Sequence, residues 1–205
     1  MNGLEEQYRK PEGDDGRKIL KHMNKSHRNV TEWGLNNIPD SDPKVILDAG
    51  CGGGMCINLL SHIYPDTQIT GLDFSSESLK STEMYNENLV TSGRLHTVCS
   101  EVSNVPFADG TFDLITAVET YFFWPNQEHD VAELVRVLAP DGILCIVSEM
   151  YITSENRKHI ESMNERYNMN IVENHIVSEY MSEAGLDVTV STDKTMNWIT
   201  FIGQR

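Results

Sequence analysis

Short, mostly apolar runs rich in β-branched residues recur through the middle of the chain: Val45 to Ala49, Gln68 to Leu72, Leu95 to Cys99, Phe112 to Val118 and Ile143 to Ser148. Runs of this length and character predict strands buried on both faces. Helix-favouring stretches lie between them. The clearest is Glu128 to Leu138, where Val131, Leu134, Val135 and Leu138 fall at i, i+3, i+4 and i+7 on one face. Pro140-Asp141-Gly142 then stops the helix and turns the chain. Met55 to Ile63 and Ser76 to Ser92 are the other crossover helices, the second ending at Gly93. Strands alternating with helical crossovers predict a doubly wound α/β fold, a parallel sheet with helices on both faces.

Beyond the fifth run the pattern changes. Glu155 to Asn168 and Val177 to Ala184 read as helices, followed by two strand-like runs, Asp187 to Ser191 and Trp198 to Ile202, expected to pair as an antiparallel edge. Residues 1–42 are polar and broken by Pro11, Gly13, Gly16, Pro39 and Pro43, so they read as a helical cap on a domain running from 43 to 205.

The segment LDAGCGGGMCINLL (47–60) sets Gly50, Gly52, Gly53 and Gly54 between the first strand and its helix. Glycine lacks a Cβ and accepts positive φ, so such a turn lets backbone come close to a ligand. A pyrophosphate site would carry a third spaced glycine, yet Met55 follows Gly54; a P-loop would carry Gly-Lys-Ser/Thr, which is absent. Asp48 at the end of the strand would repel a phosphate and suits a cationic ligand. Asp73 closes the second strand, where an acid can accept both hydroxyls of a ribose; equally, it could cap the helix that starts at Ser75 and Ser76. Glu101 follows the third strand. Three acids at three successive strand ends around a glycine turn describe a site for an adenosine-like ligand without phosphate.

Composition removes several alternatives. The 205 residues, 39% hydrophobic, suffice for one well-filled core. A formal charge of −15 disfavours nucleic acid and anionic membrane surfaces as partners. Cys51, Cys56, Cys99 and Cys145 form no Cys-x-x-Cys pair and read as buried reduced thiols. No His/Cys cluster has metal-ligand spacing, so no metal is expected. Met1 to Lys10 lacks an apolar leader and no stretch is apolar enough to span a bilayer, which places the protein in the cytoplasm on sequence grounds.

VILDAGCGGG, GLDFS, SEVSNVPFADGTFDLI and RVLAPDGIL, in that order from Val45 to Val147, resemble the successive motifs of class I S-adenosylmethionine-dependent methyltransferases, in the small-molecule branch that includes quinone methyltransferases. The resemblance implies a Rossmann-like domain that binds S-adenosylmethionine and methylates a small molecule. It implies that Asp48, Gly50, Cys51 and Gly52 hold the methionine part through backbone amides and the carboxylate, that Asp73 grips the ribose and that Phe74 lies against adenine. Glu101, where the family more often has Asp, would bond the adenine amine, and Val102 would offer its N–H to the ring. Ala117 would border the methionine.

The loop after the fourth strand, AVETYFFWPN, is where the family places acceptors. Glu119 and Tyr121 are the polar groups expected there. Glu119 acts either as a general base or as a carboxylate that attracts a cationic acceptor or orients Tyr121. Phe122, Phe123 and Trp124 are walls of the pocket or packing beneath it. Glu149 and Tyr151 follow the fifth strand and could enter the same pocket. In the cap, Arg9 could meet the methionine carboxylate and His27 could line the pocket, the cap serving as a lid; an exposed arm and an ordinary histidine are the alternatives. Residues 152–175 read as a helical insertion near the acceptor. The family's Asn/Asp-Pro-Pro-Tyr/Phe signature is absent, which argues against DNA adenine as acceptor. A cofactor-binding sensor or partner subunit, and a nicotinamide oxidoreductase on a related sheet, are the competing readings. Neither the acceptor nor the oligomeric state is legible.

Overall fold

A computed structural model describes residues 3–205; residues 1 and 2 of the expected cap lie outside the described residues. Three helices come first, α1 (Gly3–Arg9), α2 (Gly13–Ser26) and α3 (Arg28–Leu35), and then β1 (Val45–Ala49), α4 (Met55–Ile63), β2 (Gln68–Asp73), α5 (Ser76–Tyr85), α6 (Glu87–Thr91) and β3 (Leu95–Cys99). The second half runs β4 (Phe112–Val118), α7 (Gln127–Val137), β5 (Leu138–Ser148), α8 (Arg157–Tyr167), α9 (Asn174–Glu183), β6 (Asp187–Asp193) and β7 (Trp198–Gln204).

The strands form one seven-stranded sheet in the order β3-β2-β1-β4-β5-β7-β6. β1 pairs in parallel with β2 and β4, β2 with β3, and β4 with β5. β7 is antiparallel to both β5 and β6. The order reverses at β1, so the carboxyl ends of β1, β2 and β4 open onto the crevice where such sheets bind ligands. The fold is therefore the expected doubly wound α/β sheet with an antiparallel C-terminal edge.

Apolar side chains of the inner strands fill two cores, one on each face. Leu47, Ile115, Leu144 and Phe201 belong to one, with α7 and α9; Ile46, Leu114, Cys145 and Ile202 belong to the other, with α4. Val30 and Leu35 of α3 sit in the second core. A Cβ on Gly34 would come within 2.5 Å of Val147, so α3 lies flush against the sheet. Residues 28–35 thus share the sheet's own core.

Three local expectations differ. Ser76 to Ser92 is two helices, because the Asn86 amide turns inward to donate to the carbonyls of Gly54 (2.9 Å) and Thr82 (3.0 Å). Pro140-Asp141-Gly142 is a bulge within β5: Phe112 pairs with Leu138 and Leu114 with Ile143, the intervening residues bowing out with Asp141 at φ 62°. The thiol of Cys99 is exposed while Cys51, Cys56 and Cys145 are buried, because β3 is the edge strand.

Candidate active site

A cavity opens at the carboxyl ends of β1, β2 and β4, between the glycine turn and α2. Among its lining residues are Arg9, His27, Asp48, Gly50, Cys51, Gly52, Asp73, Phe74, Glu101, Val102 and Glu119. Tyr121, Ala117, Glu149 and Tyr151, all expected there, are absent from the lining. Tyr121 is buried in the core against Phe122, ring centroids 5.4 Å apart, and Ala117 is fully buried in the sheet. Tyr121 occupies a single 3-10 turn, Tyr121–Phe123, that points it inward, and its hydroxyl is driven up from its ordinary pKa by burial and by Glu119. In the same turn Phe123 and Trp124 face the cavity while Phe122 packs inside, so the aromatic run divides between wall and core. Tyr151 also lies in the core.

The glycine turn works differently from the expectation. The N–H groups of Gly50 and Cys51 both donate to the Leu72 carbonyl (2.7 and 3.0 Å), and that of Gly52 donates to Asp73 Oδ2 (3.0 Å). Those three amides are already committed inside the protein. The missing side chains serve close approach instead. A Cβ on Gly50, whose φ is 77°, would sit 2.3 Å from Thr120 Oγ1, and one on Gly53 would sit 2.4 Å from Asn24 Oδ1. The loop after β4 and helix α2 therefore both reach the turn, and Asn24 Nδ2 fastens α2 by donating to the Gly53 carbonyl (2.8 Å).

Asp48 is 1% exposed. Thr116 donates to its Oδ1 (2.7 Å), while Oδ2 is buried with no partner. Burial raises its pKa to about 6 against the Thr116 and Cys56 hydrogen bonds. Such an oxygen, in a cavity wall, is an acceptor held ready for a donor or a cation. Asp73 is likewise raised to about 6, chiefly by burial and against the N–H groups of Ser75 and Gly52. Asp73 Oδ1 accepts from Ser75 N (2.8 Å), but the cap of α5 is Ser75, whose hydroxyl accepts from Ser78 N (3.2 Å). The Arg9 guanidinium lies over the Phe74 ring, 5.8 Å from its centroid, and so on the nucleoside side of the expected site, away from the methionine end.

At the end of the cavity lined by His27 and Glu119, Glu149 joins these two from outside the lining. His27 sits at the junction of α2 and α3, Glu119 follows β4 and Glu149 follows β5. One ligand-type atom from each lies within 4.8 Å of the others. His27 Nε2 is 3.6 Å from Glu149 Oε1, and the Glu149 N–H donates to the Glu119 carboxylate. Glu119 holds a left-handed backbone (φ 55°) and donates its own N–H to the Val147 carbonyl (3.0 Å), which fixes its side chain there. Burial, then the nearby Glu149, raises the Glu119 pKa well above the ordinary range; burial also raises Glu149. Burial lowers His27 to about 4, with His22 adding to it, so the imidazole is neutral at physiological pH. Sequence reasoning named the three separately; their meeting depends on α2 docking on the glycine turn. No described residue of 152–175 lines the cavity. That segment packs beneath the acceptor loop, where Asn170 N–H donates to the Phe122 carbonyl (2.7 Å), and α8 meets α1 through Tyr8 and Tyr167.

Residues 47–146 match the model of the methyltransferase domain family. These residues form a methyltransferase domain of the class I fold. Over 105 residues the chain is 31% identical to a malonyl-[acyl-carrier protein] O-methyltransferase of Methylovorus sp. (strain MP688), an alignment covering 50% of this chain and 36% of the relative. It is 30% identical over 111 residues to norajmaline N-methyltransferase of Rauvolfia serpentina, covering 54% and 37%. The chain thus spans about a third of the length of each. A geranyl diphosphate methyltransferase solved in complex with SAM superposes with a TM-score of 0.78 at 15% identity, over 95% of this chain and 92% of that one. The cavity described above opens within the methyltransferase domain and is closed on one side by the N-terminal helices. Among the described residues no helix is long and apolar enough to cross a membrane.

Proposed function

We propose that this chain transfers a methyl group from S-adenosylmethionine to a small-molecule acceptor. The observation that carries the reading is the buried, unpartnered Asp48 Oδ2 in a cavity bounded by the methyltransferase domain's glycine turn and strand ends. The residues present fit the cofactor: Asp48 offers its free oxygen to a cationic group, Asp73 stands where a ribose would lie, and Phe74, Glu101 and Val102 surround the place for adenine. When bound, S-adenosylmethionine supplies a methyl group already activated by a positively charged sulfur.

The protein's task is alignment, which can lower a barrier by roughly 7–11 kcal/mol. Thr120 and Asn24, pressed against the glycine turn, fix the distance between cofactor cleft and acceptor loop. Phe123 and Trp124 provide apolar wall, and the N-terminal helices exclude water from above. Glu119 and neutral His27, with Glu149 beside them, form the polar end that the acceptor meets. The relatives' names include O- and N-methylation, and the N-methyltransferase among them is named for a small molecule, norajmaline, which supports a small-molecule acceptor here.

Calorimetric titration with S-adenosylmethionine and with its demethylated product tests the reading. One equivalent of each should bind, and Asp73→Ala should weaken both. Absence of heat with either compound would overturn it.

A further inference from the structure

We propose that His27, Glu119 and Glu149 bind one divalent transition-metal cation at the edge of the cavity, where His27 and Glu119 line it and Glu149 stands beside them. This rests on the methyl-transfer reading, since the cation would face the acceptor.

The donors come from three separate parts of the chain, and one ligand-type atom of each lies within 4.8 Å of the others. Two donors about 2.1 Å from a common ion lie roughly 3.0–3.4 Å apart. His27 Nε2 and Glu149 Oε1 stand at 3.6 Å, so a shift of a few tenths completes that pair, and Glu119 lies within the same 4.8 Å cluster. Among the described residues neither Glu119 nor Glu149 has a lysine or arginine ion pair; the partner of Glu149 is His27.

A second observation points to a ligand in the same cavity. Trp124, five residues after Glu119 in the same loop, lines the cavity at 6% exposure, and its indole N–H is buried without a partner. A donor left unsatisfied in a cavity wall marks the position of an acceptor atom that arrives with a ligand.

Three protein donors with open space on the remaining side is the arrangement of a catalytic rather than a structural metal site. One imidazole with two carboxylates suits Mn²⁺, Fe²⁺ or Zn²⁺ better than Ca²⁺ or a thiolate-seeking ion. Such an ion would hold the acceptor's hydroxyl or thiol and lower its pKa, the proton leaving to water, so that an anionic nucleophile faces the methyl group.

Mn²⁺ and Zn²⁺ titrated separately into the metal-stripped full chain, followed by calorimetry, test the proposal. At least one should bind at one equivalent, and Glu149→Gln and His27→Ala should each weaken it by about tenfold or more. Glu149→Gln should leave binding of the demethylated cofactor within about twofold of the wild type. A wild-type chain that binds the demethylated cofactor but neither metal overturns the proposal, as does a metal affinity that Glu149→Gln leaves unchanged. Loss of cofactor binding in the wild type would instead strike the methyl-transfer reading alone.

Discussion

Substituting Gly50→Ala tests whether the bare turn exists for close packing. The new Cβ would stand 2.3 Å from Thr120 Oγ1, 2.9 Å from Thr120 Cβ and 3.1 Å from Thr120 Cγ2, at a backbone φ of 77°. The left-handed conformation costs an alanine roughly 1–2 kcal/mol. Overpacking against Thr120 adds roughly 1–3 kcal/mol. The sum, about 2–5 kcal/mol, corresponds to a fall in melting temperature of about 4–20 °C for a chain of this size. Thermal melts followed by circular dichroism measure it. The double variant Gly50→Ala/Thr120→Ala removes Oγ1 and Cγ2 and leaves only the 2.9 Å contact, so it should recover part of the packing loss and none of the backbone strain. The coupling between the two sites should therefore reach about 0.5–3 kcal/mol. Strictly additive melting shifts, or an unperturbed Gly50→Ala, would refute the reasoning and return the turn to a role in which its amides face the ligand.

Other consequences follow from the same geometry. Burial raises the Asp48 carboxyl from about 3.8, the value of a free aspartate, to about 6 in the folded chain, so its contribution is full below about 3.8 and lost as pH rises through 6. Asp48→Asn should thus gain about 2–3 kcal/mol on the ligand-free wild type between pH 4 and 7 while binding the cofactor less tightly; denaturant melts across that range measure it, and parallel stability curves would contradict the sign. Asp73→Ala should weaken cofactor binding about tenfold or more by calorimetry, and an unchanged affinity would remove Asp73 from the ribose site. Asn86→Ala removes the side-chain donor shared by the buried carbonyls of Gly54 and Thr82, which keep the backbone N–H bonds of residues 58 and 86 (3.1 Å each), and should cost about 1–2 kcal/mol in urea unfolding, whereas a loss under 0.5 kcal/mol, about the size of a neutral surface change, would show the amide to be dispensable.

The strand runs were legible because burial on both faces writes the same apolar signal whatever the neighbours. β1, β3 and β4 begin and end where the runs do. Errors fell where a side chain from elsewhere decides the backbone. Asn86 breaks a helix that periodicity alone would continue, because its amide finds carbonyls on the glycine turn. Pro140 and Gly142 are ordinary turn residues, yet the pairing of β4 with β5 absorbs them as a bulge. Tyr121 looked polar enough for the pocket; a one-turn helix rotates it into the core and leaves Phe123 and the buried Trp124 lining the cavity.

For the site the division is sharper. Chain order alone put Asp48, Asp73 and Glu101 at successive strand ends, since a doubly wound sheet sends every such end to one edge, and so the kind of ligand could be read from residue types. The sequence could not say that the turn's amides are consumed by Leu72 and Asp73, because hydrogen bonds between neighbouring strands depend on register. Nor could it bring His27 to Glu119 and Glu149, ninety-two and one hundred and twenty-two positions away. That meeting requires α3 to lie flush on the sheet at Gly34 and α2 to be tied to Gly53 by Asn24, contacts made in three dimensions that the helical periodicity of these segments does not name.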